Sequence, residues 1–301
     1  MNETKPTRVR DDLSHFQAIP IGPLGTMKKR ARRQRAGCLL AALALLAAYL
    51  LSPGEITVLI LGIDRAPQGT ALGRSDTIIL LGARLLTAEV NMLSIPRDLW
   101  VEIPGYGEER INAAHFFAEA EEAGSGPAAA AETVRANFAV EVDHTVRIQL
   151  ENFAGVVDAL GGITLTLERP MAGYPAGEIT LMGEEALAFV RSRAGTDDFQ
   201  RMQQGQVFLV SLFKQMLRPK SWVRIPAFLI ALGKVVDVDM PVWQYPRLAL
   251  ALLRAGPAGL ELETLTREMV TPFTTNLGAQ VLLPNWSQIM PFVRDRFEVV
   301  E

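Results

Sequence analysis

The chain has 301 residues, 49% hydrophobic and 21% charged, with a formal net charge of −3. That is enough for one large domain or two small ones with a real core. One cysteine (Cys38) and three histidines (His15, His115, His144) exclude an internal disulfide and a Cys/His zinc cluster, and the zincin, nucleophile-elbow, P-loop and Rossmann signatures are absent.

The charge is unevenly spread. Residues 1–35 hold nine Lys or Arg against three acidic residues, a net +6, whereas the rest holds 21 against 30, a net −9. Pro6, Pro20 and Pro23 mark residues 1–35 as a basic, disordered tail. From Ala36 an apolar run without a polar stripe continues to Leu51, closed by Ser52-Pro53-Gly54. It predicts a transmembrane signal anchor over 36–52, with the basic end in the cytoplasm and residues 53–301 outside the membrane. A buried core helix and a cleaved signal peptide are the alternatives. Cys38 precedes the apolar run, unlike a lipobox cysteine, and Arg32-Arg33 is explained by the charge that orients an anchor. No DNA-binding motif lies in the tail, so no nucleic-acid partner is expected.

Beyond Glu55 the pattern is α/β. Apolar runs over 56–63, 77–83 and 90–95, bounded by Gly, Pro and Asp, predict strands buried on both faces. Helices are expected over 111–123 and 127–138, a half-buried strand over 142–150, a helix over 151–160 ending at Gly161-Gly162, and a strand over 163–168. The second half reads as mostly helical (184–190, 198–217, 225–232, 246–253), with a short strand at 281–283 and a helix from Asn285. No repeat or low-complexity linker divides 55–301, so one α/β domain is expected.

Several polar residues fall where open α/β sheets bind ligands, beyond strand ends. Asp64 ends the first strand, Arg74 and Asp76 precede or open the second, and Arg97-Asp98 follow the third through Pro96. Capping of turns and solvated ion pairs are the plain alternative. Arg191 and Arg193 share a face only in an extended segment, so the helix from Glu184 should end near Val190 for the two to form an anion clamp. Asp198 and Arg201 share a helix face, where Asp198 is also a natural cap. Of the 21 basic residues after position 35, 18 are Arg, the side chain suited to bidentate phosphate binding.

In this order, LGID (61–64), RSDT (74–77), SIPRD (94–98), INAAH (111–115), VDALGGI (157–163), GEEALAFVRSR (183–193) and DDFQR (197–201) resemble the LytR-CpsA-Psr family of envelope glycopolymer ligases. The resemblance implies an α-β-α sandwich with a mixed central sheet, held at the cell membrane, with a polyprenyl chain in an apolar tunnel. It implies a Mg²⁺-assisted phosphotransferase that moves a glycopolymer from a polyprenyl-pyrophosphate carrier to a peptidoglycan sugar hydroxyl. By motif match Asp64 and Asp76 take the metal positions, and Arg97, Arg191, Arg193 and Arg201 the pyrophosphate positions, with Arg74 as a further candidate. Asp98 and Asp198 are the candidates for the base that receives the hydroxyl proton. Phe208, Leu209, Leu212 and Phe213 are candidates for the tunnel lining or for ordinary core. One departure stands out: Gln204-Gly205 occupies the place where the family commonly has Arg-Gln. The alternatives to a transferase are a hydrolase of the same lipid, a non-enzymatic regulator, and a lipid-binding module.

Overall fold

The computed structural model describes residues 24–50, 52–64, 66–67, 70–192 and 198–300; the side chains of 24–35 and of Asp198 lie outside that description. The chain divides into two compact units, Met1–Ser52 and Pro53–Glu301. In the first, one helix (α1, Leu24–Leu50) joins the basic cluster to the apolar run. Residues 24–35, expected in the disordered tail, are thus helical, because Lys, Arg, Met, Gln and Ala are good helix formers and no proline interrupts them. Residues 1–23 lie outside the described residues. Among the described residues no helix is long and apolar enough to cross a membrane.

The second unit begins with β1 (Glu55–Ile63), β2 (Ser75–Arg84) and β3 (Glu89–Ser94), then a hairpin of β4 (Trp100–Ile103) and β5 (Gly107–Arg110). Helices α2 (Ala113–Glu121) and α3 (Gly126–Phe138) follow, then β6 (His144–Gln149), α4 (Ala154–Leu160), β7 (Ile163–Leu167), β8 (Gly177–Leu181) and α5 (Gly183–Arg191). The remainder comprises α6 (Asp198–Leu217), α7 (Ile225–Leu232), β9 (Val236–Val238), α8 (Tyr245–Ala255), β10 (Leu260–Thr264), β11 (Val270–Thr274), β12 (Gln280–Pro284) and α9 (Trp286–Arg294).

Six strands form the central sheet in the order β10-β3-β2-β1-β6-β9. It is mixed: β1 pairs parallel with β6 and antiparallel with β2, and β3 pairs antiparallel with β2 and parallel with β10. Both faces are covered, which is why the strands are continuous apolar runs. Leu59, Leu61, Ile78, Leu80 and Leu93 pack on one face with Val134 of α3 and Ile289 and Val293 of α9. Their neighbours Val58, Ile79, Leu81, Val90 and Met92 pack on the other with Ala251 of α8. A separate core joins α4, α5, α6, α7 and β7 through Val157, Ile163, Phe189, Phe208 and Phe228.

The α/β sandwich and mixed sheet match expectation, while several edges do not. The helix expected from Ile111 begins at Ala113, since the preceding Gly107–Arg110 is β5. The β4–β5 hairpin, β8, β9, β10 and β11 fall in segments for which no element was expected. These strands are short, exposed or charged (Gly-Glu-Glu-Arg in β5, Leu-Glu-Leu-Glu-Thr in β10), so they lack the apolar runs of the central strands. The segment expected as one helix over 151–160 is a 3₁₀ turn at Leu150–Asn152 followed by α4, which ends where Gly161 takes a left-handed φ of 84°.

Candidate functional site

Because β2 runs antiparallel to both neighbours, its first residues lie at the same sheet edge as the last residues of β1 and β3. This brings together Asp64 (after β1), Asp76 (second in β2) and Arg97-Asp98 (after β3). The β1–β2 register slips here: Gly62 faces Thr77 but Ile63 faces Ser75, leaving Asp76 as the extra residue of a bulge. Such a bulge redirects a side chain out of the strand's alternation. Gly62 permits it, since a Cβ there would stand 2.9 Å from the Cβ of Thr77.

A cavity of about 60 Å³ lies at this edge, with Asp64, Asp76, Ser94, Arg191 and Arg201 in its lining. Arg191 Nη2 stands 2.6 Å from Asp64 Oδ1, whose side chain is only 11% exposed. Arg97 Nη1 donates to Asp76 Oδ1 at 2.6 Å. Arg97 thus joins the cavity through Asp76 although about a hundred residues separate it from Arg191 and Arg201. Arg191 is the last residue of α5, where the carbonyl end of the helix favours a cation. The helix runs one residue past the expected Val190 and stops at Ser192, whose backbone is extended (φ −59°, ψ 131°). Arg193 lies outside the described residues, as does the side chain of Asp198, which opens α6. Arg74 is exposed and lies outside the cavity lining.

Asp98 turns to a different neighbour. Its Oδ1 lies 3.4 Å from Arg110 Nε and its Oδ2 lies 3.5 Å from Arg97 Nε. Arg110 was not singled out from the sequence, because its relation to Asp98 depends on the unforeseen β4–β5 hairpin.

The INAAH segment braces this edge from behind. Asn112 accepts from Ser75 N at 3.3 Å through its carbonyl and donates its N–H to the carbonyl of Arg97 at 3.3 Å. His115, fully buried, bonds through Nδ1 to the Gly73 carbonyl at 2.9 Å. A carbonyl only accepts, so Nδ1 carries the proton. Burial lowers the His115 pKa, and the Arg147 charge adds to this, against the Gly73 bond and Glu119. Behind the imidazole, Arg147 Nη1 donates to Glu119 Oε2 at 2.9 Å and Nη2 to Asp237 at 2.7 Å. Glu119 also accepts from Gly124 N and Gly126 N. Its burial acts to raise its pKa, but those two donors and Arg147 bring it below the ordinary value. The segment thus holds in place the backbones that present Asp76 and Arg97.

Beside the polar cavity lies an apolar pocket of about 50 Å³, and both share Thr77, Ile79, Leu150, Val190 and Gly205. Phe208 and Leu209 line the pocket; Leu212 packs in the helical core. A Cβ on Gly205 would meet nothing within 4 Å. The preceding Gln204 is fully buried, and neither of its amide atoms finds a partner among the described residues. Gln206, one position on, donates to Ser94 Oγ at 3.0 Å and to the Glu263 carbonyl at 2.6 Å, fixing α6 against β3 and β10.

The sequence profile of the LytR_cpsA_psr family matches residues 29–286. The chain belongs to the LytR-CpsA-Psr family. A relative from Oceanobacillus iheyensis, named polyisoprenyl-teichoic acid–peptidoglycan teichoic acid transferase TagU, is 32% identical over 191 residues, which are 62% of this chain and 59% of the relative. The chain therefore spans about three fifths of the curated relatives it matches. Among solved folds, a Streptococcus agalactiae protein superposes with a TM-score of 0.67 at 20% identity, covering 82% of this chain and 91% of that one. TagT bound to LIIa-WTA superposes with a TM-score of 0.62 at 23% identity, covering 80% and 89%. The chain therefore shares the fold of these proteins.

Proposed function

We propose that this LytR-CpsA-Psr protein is a membrane-anchored phosphotransferase that moves a glycopolymer from a polyprenyl-pyrophosphate carrier to a sugar hydroxyl of peptidoglycan. The observation that carries the reading is a polar cavity holding Asp64, Asp76, Arg191 and Arg201, with Arg97 pinned to Asp76, directly beside an apolar pocket. A lipid pyrophosphate has those two parts: an anion that needs guanidinium groups and an apolar chain that needs burial. The names of the TagU relative and of the TagT complex, which concern teichoic acid, point the same way.

In the proposed reaction an acceptor hydroxyl oxygen attacks the phosphorus that bears the glycopolymer, forming a new O–P bond. The bond from that phosphorus to the bridging oxygen breaks, and polyprenyl monophosphate leaves with that oxygen and the electron pair. The hydroxyl proton passes to the carboxylate of Asp98. Arg97, Arg191 and Arg201 hold the phosphate oxygens and offset the charge that develops on them, which is the main demand of phosphoryl transfer.

Asp64 and Asp76 fit a Mg²⁺ ion. They are hard oxygen donors that line one cavity beside Arg191 and Arg201. Mg²⁺ commonly takes one or two carboxylates and completes its shell with phosphate oxygens and water, so a larger acidic cluster is unnecessary. When bound it would neutralise phosphate charge. The apolar Ala36–Ser52 segment, flanked by nine basic residues on its N-terminal side only, supports an anchor with the N-terminus in the cytoplasm and 53–301 outside.

The test is turnover of a lipid pyrophosphate by the full chain with and without EDTA, for the native protein and for Asp76→Asn. The native rate should collapse in EDTA, and the variant should be slow in both. Equal rates in all four conditions would overturn the metal assignment.

A further inference from the structure

A second cavity, of about 560 Å³, opens beside Asp98. Its lining includes Asp98, Phe199, Arg267, Phe273, Thr274 and Gln280. Its wall is the β11–β12 hairpin, and three contacts fix that wall to the site. Leu282 N donates to the Asp98 carbonyl at 2.9 Å, Leu99 forms a parallel bridge with Leu282, and Arg110 Nη2 donates to the Gln280 carbonyl at 2.7 Å. Arg110 therefore holds both the Asp98 carboxylate and the groove wall.

Successive residues serve the two cavities: Arg97 bonds Asp76 in the polar one, and Asp98 lines the groove. A group bound in the groove lies against the carboxylate next to the proposed phosphate site. The chemistry of the lining narrows what that group is. A lipid chain there would strip water from Asp98, Arg267, Thr274 and Gln280 without replacing their hydrogen bonds. A pyranose has apolar C–H faces for aromatic rings and hydroxyls for the polar groups. Phe273 presents a ring that is 47% exposed and open to such a face, whereas the Phe199 ring is covered by Arg267 at 5.4 Å and packs against the core.

We propose that this groove is the acceptor subsite and that it binds a glycan strand, with one sugar hydroxyl directed at Asp98. The assignment rests on the transferase reading and adds where the acceptor lies.

The experiment titrates the full chain in detergent with a tetrasaccharide of β-1,4-linked N-acetylglucosamine, followed by calorimetry and, separately, by paramagnetic broadening from a spin-labelled tetrasaccharide. Phe273→Ala should weaken binding at least fivefold, Phe273→Tyr should retain it, and Leu277→Ser, at the exposed hairpin tip, should leave it unchanged. In the unsubstituted chain the spin label should broaden the methyl signals of Val270 and Val281, which line the groove. No binding by the native chain, binding that survives Phe273→Ala, or broadening confined to other methyl groups would overturn the acceptor subsite. Polyprenyl monophosphate is titrated into the same samples; its failure to bind the native chain would overturn the transferase reading instead, whatever the tetrasaccharide does.

Discussion

At Gly205 stability and function can be separated by a single substitution. It lies within α6, lines both the polar cavity and the apolar pocket, and has open space where a side chain would begin. Glycine in a helix interior costs roughly 0.5–1 kcal/mol relative to alanine or leucine, so Gly205→Ala and Gly205→Leu should both stabilise the fold. For a domain of this size that corresponds to a rise in Tm of about 1–4 °C. The isobutyl group of Gly205→Leu, however, enters the space between Val190, Leu150 and Phe208. If a polyprenyl chain occupies that space, displacing two of its methylene groups alone forfeits about 1.6 kcal/mol, or more than tenfold in affinity. Thermal unfolding and native mass spectrometry of polyprenyl phosphate bound to the full chain read the two effects separately. A Gly205→Leu protein that melts higher and binds the lipid as tightly as the native chain would refute the tunnel. One that melts several degrees lower would refute the open space at Gly205.

Two further outcomes follow from the ion pairs and the buried histidine. Arg97→Ala should reduce transfer by roughly 10²–10³-fold, the cost of one preorganised donor to developing charge, while loss of its partly buried pairs with Asp76 and Asp98 costs about 1–3 kcal/mol of stability; near-native transfer by the folded variant would remove Arg97 from the site. His115 has a pKa below its ordinary 6.5, so the unfolded chain binds the extra proton first. Stability is therefore full above about pH 6.5 and falls on acidification, by at most about 1.4 kcal/mol per pH unit for this one group. Tm measured from pH 7.5 to 5.5 should drop, and His115→Gln should flatten the slope; an identical slope in that variant would show that His115 stays out of the titration.

Much of the central sheet was legible because burial on both faces writes itself as continuous apolar runs in β1, β2 and β3. The polar residues at the ends of those runs, Asp64, Asp76 and Arg97, were legible for the same reason: the runs stop at them. That β2 is antiparallel to both neighbours, which puts Asp76 opposite Asp64 and Arg97, was not written in any local pattern. Neither was the bulge at Gly62. The strand expected at 281–283 is β12, but its partner β11 escaped because Val-Thr-Pro-Phe-Thr is exposed along most of its length and carries a proline. With it went Arg267 and Phe273, and hence the whole second cavity. Arg110 escaped with the charged β5 strand. His115 was visible only as part of a motif; its role as a brace for Gly73 depends on a contact across 42 residues.

The most direct test of the central claim is to identify what the purified full chain makes from a polyprenyl-pyrophosphate-linked glycopolymer and peptidoglycan. Mass spectrometry of the digested wall should find the polymer joined to a glycan sugar through a phosphodiester, with one polyprenyl monophosphate released per link and neither product formed by Arg97→Ala. Free phosphorylated polymer with no covalent link to the glycan would contradict transfer and make the same cavity the site of a hydrolase.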